Sequence, residues 1–156
     1  MPWNIDPAAQ LTVLLPFDFS AASREAVATA QRFAAGNERL HLLHVIPHVE
    51  AASPAFLVGE IQTERLLERA QAELREVAEG CGADGAQLEL RMGEPAREIL
   101  DYAREVGADL IVIPSRGKSG VRRWMLGSVA ERVVRRASCP VLMLPIDDEA
   151  EPPHKA

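Results

Sequence analysis

The sequence predicts an α/β fold: one domain built on a doubly wound, parallel, five-stranded sheet of order 3-2-1-4-5, with helices on both faces. Three observations carry this expectation. Short, nearly continuous aliphatic runs read as strands covered on both sides. Amphipathic stretches of helical period separate them. The two kinds alternate strictly, which favours right-handed crossovers and parallel pairing. A chain of 156 residues, 47% hydrophobic and 26% charged, suits one such domain with a real core.

The elements follow in order. "LTVLLP" at 11–16 is the first strand, closed by proline. Residues 20–35 form a helix capped by Ser20, with Ala22, Ala26, Val27, Ala30 and Phe33 on one stripe. "LHLLHVI" at 40–46 is the second strand. A longer helix runs from about Phe56 to Cys81, with Leu67, Ala70, Leu74 and Val77 inward and Gly80 and Gly82 as its stop. "QLELRM" at 87–92 alternates, turning Leu88, Leu90 and Met92 to one side and Glu89 and Arg91 to the other, as a half-exposed edge strand does. "EPAREILDYAREVG" at 94–107 opens with Pro95 in its first turn, buries Ala96, Ile99, Leu100 and Ala103, and ends at Gly107. "LIVI" at 110–113 and "VLML" at 141–144 are the last two strands. Between them a helix begins at Ser128, whose hydroxyl and the Glu131 carboxylate form a capping box. The domain is expected over 11–146. Residues 1–10 read as a loose N-terminal segment and 147–156 as an acidic, proline-rich, disordered tail.

Net charge is −6, which argues against general nucleic-acid or anionic-membrane binding. The only cysteines are Cys81 and Cys139; there is no apolar leader, and no window approaches the roughly 18 apolar residues of a bilayer span. A reduced, cytoplasmic protein is the expectation. The charge is uneven, however. Between Ser115 and Arg136 stand Arg116, Lys118, Arg122, Arg123, Arg132, Arg135 and Arg136 against the single acid Glu131. A basic, glycine-rich segment in an acidic protein suggests a local anion partner, although Arg132, Arg135 and Arg136 are better read as a solvated helix face.

Gly117-Lys118-Ser119 resembles the end of a P-loop, but that motif needs a glycine at 112, where Val112 lies inside a strand. The P-loop reading fails. A different phosphate site survives. Ligands of doubly wound, Rossmann-like sheets lie beyond the carboxyl ends of the strands where the order reverses, here between the first and fourth. The first ends at Pro16-Phe17-Asp18 and the fourth at Ile113-Pro114-Ser115-Arg116-Gly117. Gly117 and Gly120 permit close backbone approach, and Gly127 and Ser128 offer free amides at a helix N-terminus. Asp18 is placed to accept from a ribose or help hold a cation, or simply to cap the first helix.

These residues carry a resemblance. "LLPFDFSAASREAVATA", "MGEPAREILDYAREVGADLIVIPSRGKSG" and "LGSVAERVVRRASCPVLML" are similar to the universal stress protein family, over about residues 9–146. Nucleotide-binding members carry Gly-x2-Gly-x9-Gly-Ser/Thr, and Gly117 with Gly127-Ser128 matches its later part. The resemblance implies an adenosine pocket lined by Pro16, Phe17, Asp18 and Val45, with phosphates held by Gly117, Gly127, Ser128 and Val129. Ile113, Pro114 and Gly120 complete the expected set. The first motif glycine falls at 114, which is proline here, so one amide is lost and a glycine-only conformation is forbidden. Ser115 is the expected replacement donor.

ATP or AMP is therefore the expected ligand, with Mg²⁺ or Mn²⁺ accompanying it, in a stress-related regulatory module with at most slow hydrolysis. Two alternatives stand beside this. One is a nucleotide-free dimer acting through its surface because Pro114 has closed the site. The other is a nucleotidyl- or phosphoryl-transfer enzyme using Arg116 and Lys118 as clamps. No Gly-x-Ser-x-Gly elbow or paired carboxylates nominate a nucleophile or base. His41, His44 and His48 make a poor metal set, since 41 and 44 face opposite ways on a strand. Cys81 and Cys139 read as buried or half-buried thiols, and Trp124 as cover for core or interface. The resemblance also implies a homodimer through the last strand, Val141, Leu142, Met143 and Leu144, an apolar run at a sheet edge.

Overall fold

The computed structural model describes residues 10–47, 60–115 and 126–146. Five strands, β1 (Val13–Pro16), β2 (Leu40–Pro47), β3 (Gln87–Gly93), β4 (Leu110–Pro114) and β5 (Val141–Leu144), form one parallel sheet of order β3-β2-β1-β4-β5. Among the described residues four α-helices lie between them: α1 (Ala21–Phe33), α2 (Glu60–Gly80), α3 (Pro95–Glu105) and α4 (Ser128–Arg136). The expected strand order holds. The predicted start of the second helix, 56–59, lies outside the described residues.

Strand alternation divides the core into two faces. Val13, Leu15, Leu40, Leu42, Leu110 and Val112 pack against α1 and α2 through Ala26, Val27, Ala30, Leu74, Val77 and Ala78. On the other face Leu14, Leu43, Ile111 and Ile113 pack against α3 and α4 through Ile99, Leu100, Ala103, Ala130 and Val133. Because β1 and β4 are central and clad on both sides, their residues are uniformly apolar. The edge strand β3 is half-covered: Leu88 joins the α1–α2 core, while on the α3 face Arg91 lies 4.7 Å over the Tyr102 ring and pairs with Glu89 and Glu105.

Ser20 caps α1 as expected, its hydroxyl accepting from the Ser23 amide at 3.1 Å. The buried stripe, however, includes Ser23 where alternation of apolar residues suggests Ala22, which is half-buried. Burial of Ser23 is tolerated because its hydroxyl donates to the Ser20 carbonyl at 2.9 Å. At α3 the cap is Glu94, whose carboxylate accepts from the amides of Ala96 and Arg97 and from Arg132 of α4. Gly107, at φ 62°, ends that turn as the sequence suggests.

Candidate functional site

The site is set by where two central strands part. β2 and β3 pair over seven positions and β4 and β5 over four, but β1 and β4 pair only at Val13↔Leu110 and Leu14↔Ile111. Proline supplies the reason. Successive residues of a parallel strand turn their N–H and C=O to alternate neighbours. Phe17 donates to Leu43 of β2 at 2.7 Å, so Pro16 faces β4; Ser115 donates to Leu144 of β5 at 2.8 Å, so Pro114 faces β1. Neither proline has an amide to carry the ladder onward, so the β1–β4 pairing stops after Leu14 and Ile111.

Phe17 is buried, and its ring meets Phe19 edge-on at 5.4 Å. Phe19 has φ 63°, uncommon for an aromatic residue, and turns the chain sharply out of the sheet. Asp18 lies between them, its Oδ1 accepting from the Ser20 amide at 3.0 Å. That bond fixes the carboxylate at the entrance to α1 and gives Asp18 a local structural role besides any ligand contact. On the neighbouring strand Val45 lies on the α3–α4 face of the sheet, beside Leu43.

The β4 wall differs in detail from expectation. Pro114 is a buried strand residue paired with Leu144, so extended backbone, not a glycine-only conformation, is what this position adopts. The Ser115 amide is engaged with Leu144, leaving only its hydroxyl as a replacement donor. The α4 cap is Gly127, with no side-chain cap, and Ser128 is the first helical residue. The expected capping box is therefore absent. Ser128 has helical backbone and is exposed, whereas a capping hydroxyl must sit on the residue before the helix; Glu131 pairs with Arg135 at 3.0 Å instead. The Gly127 amide is also not free, since it donates to the Ser115 carbonyl at 2.9 Å. The amides of Ser128, Val129 and Ala130 precede the first intrahelical donor, Glu131, and point out of the helix end.

The structure thus brings Pro16, Phe17, Asp18, Ile113, Pro114, Gly127, Ser128 and Val129 to the carboxyl edge of β1 and β4, with Val45 one strand over. Gly117 and Gly120, like Arg116, Lys118 and Trp124, lie outside the described residues. His41 and His44 do diverge: His41 Nδ1 is 2.9 Å from the Tyr102 hydroxyl on one face, and His44 Nδ1 2.7 Å from the Phe17 carbonyl just past the end of β1. His48 is outside the described residues. Among the described residues no group of three metal-ligating side chains occurs, and no helix is long and apolar enough to cross a membrane. Both cysteines are free and half-buried, and burial pushes the Cys139 thiol pKa up, with Asp109 adding to it. The residue that sequence reasoning passed over is His44. It was weighed only as a metal ligand, and nothing in a strand pattern signals a bond to the neighbouring strand's loop.

Comparison with known proteins agrees with this fold. The model of the universal stress protein family matches residues 11–145. The chain is 36% identical over 138 residues to universal stress protein MJ0531 of Methanocaldococcus jannaschii, covering 85% of this chain and 80% of that one. Among solved structures, universal stress protein UspA from Lactobacillus plantarum superposes with a TM-score of 0.67 at 27% identity, covering 87% of this chain and 99% of its own. A universal stress protein in complex with cAMP superposes at 0.57, with 27% identity and coverage of 88% and 98%.

Proposed function

The chain belongs to the universal stress protein family, and we propose that it binds an adenine nucleotide, ATP or AMP, in the crevice between β1 and β4. Binding sets conformation or partner choice in a stress response, with at most slow hydrolysis. The observation that carries this reading is the parting of β1 and β4 beyond Leu14 and Ile111. It makes a slot at the switch point, where doubly wound sheets hold ligands.

The chemistry around the slot suits an adenosine phosphate. Leu43 faces β1, so Val45, two residues on, turns its own N–H and C=O the same way, past the end of β1. A donor beside an acceptor matches the N1 and amino group of adenine. Asp18 stands at the ribose end. Across the slot, the amides of Ser128 and Val129 and the positive end of α4 suit phosphate oxygens. A divalent cation, Mg²⁺ or Mn²⁺, would accompany a triphosphate there by neutralising its charge. That a relative has been seen with cAMP supports the adenine-nucleotide class.

A nucleotide-free reading keeps one observation in its favour: Pro114 turns an amide-less edge to the slot. Titration calorimetry with ATP, ADP and AMP, with and without Mg²⁺, separates the two, together with mass spectrometry of small molecules released from purified protein. Wild type is expected to bind, and Pro114→Gly, which restores an amide facing β1, to bind more tightly. A wild type with no heat and no co-purified nucleotide, beside a Pro114→Gly variant that binds, would establish the nucleotide-free reading instead.

A further inference from the structure

We infer that His44 is a positioning residue: it holds open the rung of the β1–β2 ladder that would otherwise occupy the Val45 amide. The consequence for ligand binding rests on the nucleotide reading above; the consequence for the strand does not.

Phe17 continues the β1–β2 ladder one residue past Pro16, donating to the Leu43 carbonyl at 2.7 Å. The next rung of a parallel ladder would bring the Val45 amide to the Phe17 carbonyl. Among the described residues that bond is not made. The Phe17 carbonyl lies 2.7 Å from His44 Nδ1 instead. A carbonyl can only accept, so Nδ1 is the donor in this bond. The same ring packs against Phe19 at 4.6 Å and 61°, and Phe19 packs against Phe17 at 5.4 Å and 88°. Phe19 is the residue at φ 63°. His44 therefore grips both sides of Asp18, by a hydrogen bond at residue 17 and a ring contact at residue 19. Satisfied this way, the Phe17 carbonyl has no need of the Val45 amide, and β1 leaves the sheet while β2 runs on to Pro47. Left open among the described residues, the backbone edge of Val45 is the part of the slot that fits an adenine. His44 thus acts on the base through Val45 and on the ribose end through Asp18, touching neither.

Three variants separate the hydrogen bond from the ring. His44→Phe keeps an aromatic against Phe19 but removes the donor. His44→Met is a second donor-free variant should the first melt far below wild type. His44→Asn returns an amide donor close to the Nδ1 position. In nucleotide-free protein, hydrogen exchange of the Val45 amide, followed by NMR, is expected to slow about tenfold in His44→Phe as the rung closes, and to stay near wild type in His44→Asn. AMP affinity should fall about tenfold in His44→Phe and recover in His44→Asn, the order of one hydrogen bond. Tripolyphosphate, which has no base, should bind all variants alike. Unchanged Val45 exchange in the donor-free variants overturns the inference whatever AMP does. A wild type that binds no AMP, while Val45 exchange still slows in His44→Phe, refutes the nucleotide reading and leaves the strand role standing.

Discussion

The Gly127 amide donates to the Ser115 carbonyl at 2.9 Å, tying the first residue before α4 to the end of β4. This bond runs between backbone groups and involves no side chain at 127. Gly127 has φ −60° and ψ 144°, open to every residue type. Gly127→Val is therefore expected to fold with a stability change within about 1 kcal/mol, while abolishing ATP or AMP binding by placing branched bulk beside the phosphate amides. Thermal melts and calorimetry together test this. A variant that binds like wild type would move the phosphate site away from α4.

Ser128 makes no cap, so its removal is expected to cost little stability. Ser128→Ala should melt within about 0.5 kcal/mol of wild type, since an exposed first-turn residue without a capping bond contributes little. A drop of 1 kcal/mol or more would show that the hydroxyl caps the helix in solution. Weakened nucleotide binding with an unchanged melt would mark a phosphate contact.

Glu94 is the side chain that does cap a helix, accepting from Arg97 N at 2.8 Å and from Arg132 at 2.9 Å. Burial pushes its carboxyl pKa up, but the two amides and the Arg132 guanidinium outweigh that and hold it below the ordinary carboxylate range. A lowered folded-state pKa means stability present above the unfolded pKa and lost as pH falls through the folded one. Glu94→Ala should cost about 1 kcal/mol at neutral pH, with the difference from wild type shrinking in acid. A pH-independent difference would assign the loss to packing alone.

His41 should give the opposite kind of group with the same pH sign. Burial beside Tyr102 lowers its pKa from the ordinary 6.5, and Glu89 opposes the shift only partly. The unfolded chain then takes up a proton more readily than the folded one. Its stabilising contribution is full above about pH 6.5 and lost as pH falls below that value. His41→Gln is expected to flatten this part of the stability profile, read from urea unfolding between pH 7.5 and about 5. An equally steep profile in the variant would show that other groups carry the dependence.

Met143 stands 42% exposed on the edge strand β5, one of two exposed large apolar residues among those described. An open apolar edge invites a partner strand, so a homodimer through β5 is expected in solution, with Met143→Lys or Leu142→Asp loosening it. Analytical ultracentrifugation at micromolar concentration decides. A monomeric wild type would refute the edge pairing.

Much of this molecule is legible one residue at a time. The aliphatic runs at 13–16, 40–46 and 110–113 are strands because burial on both faces leaves room for nothing polar, and Ser20 caps α1 because a short hydroxyl at a helix start satisfies an orphan amide. Both are local or period-based signals, and the strict alternation of elements then constrains the sheet to parallel crossovers. Ser115, Gly127 and Ser128 are less legible for the same reason. Whether Ser128 caps α4 or begins it depends on the Gly127–Ser115 bond, which no local pattern contains.

What the sequence by itself determined is the alternation of strands and helices, the apolar faces and the family, because these follow from side-chain period and residue type. The tertiary structure alone decided that Pro16 and Pro114 turn their amide-less edges toward each other and that His44 reaches the Phe17 carbonyl. Those relations depend on the register between strands distant in the chain. A one-residue shift in that register would turn every one of these groups the other way.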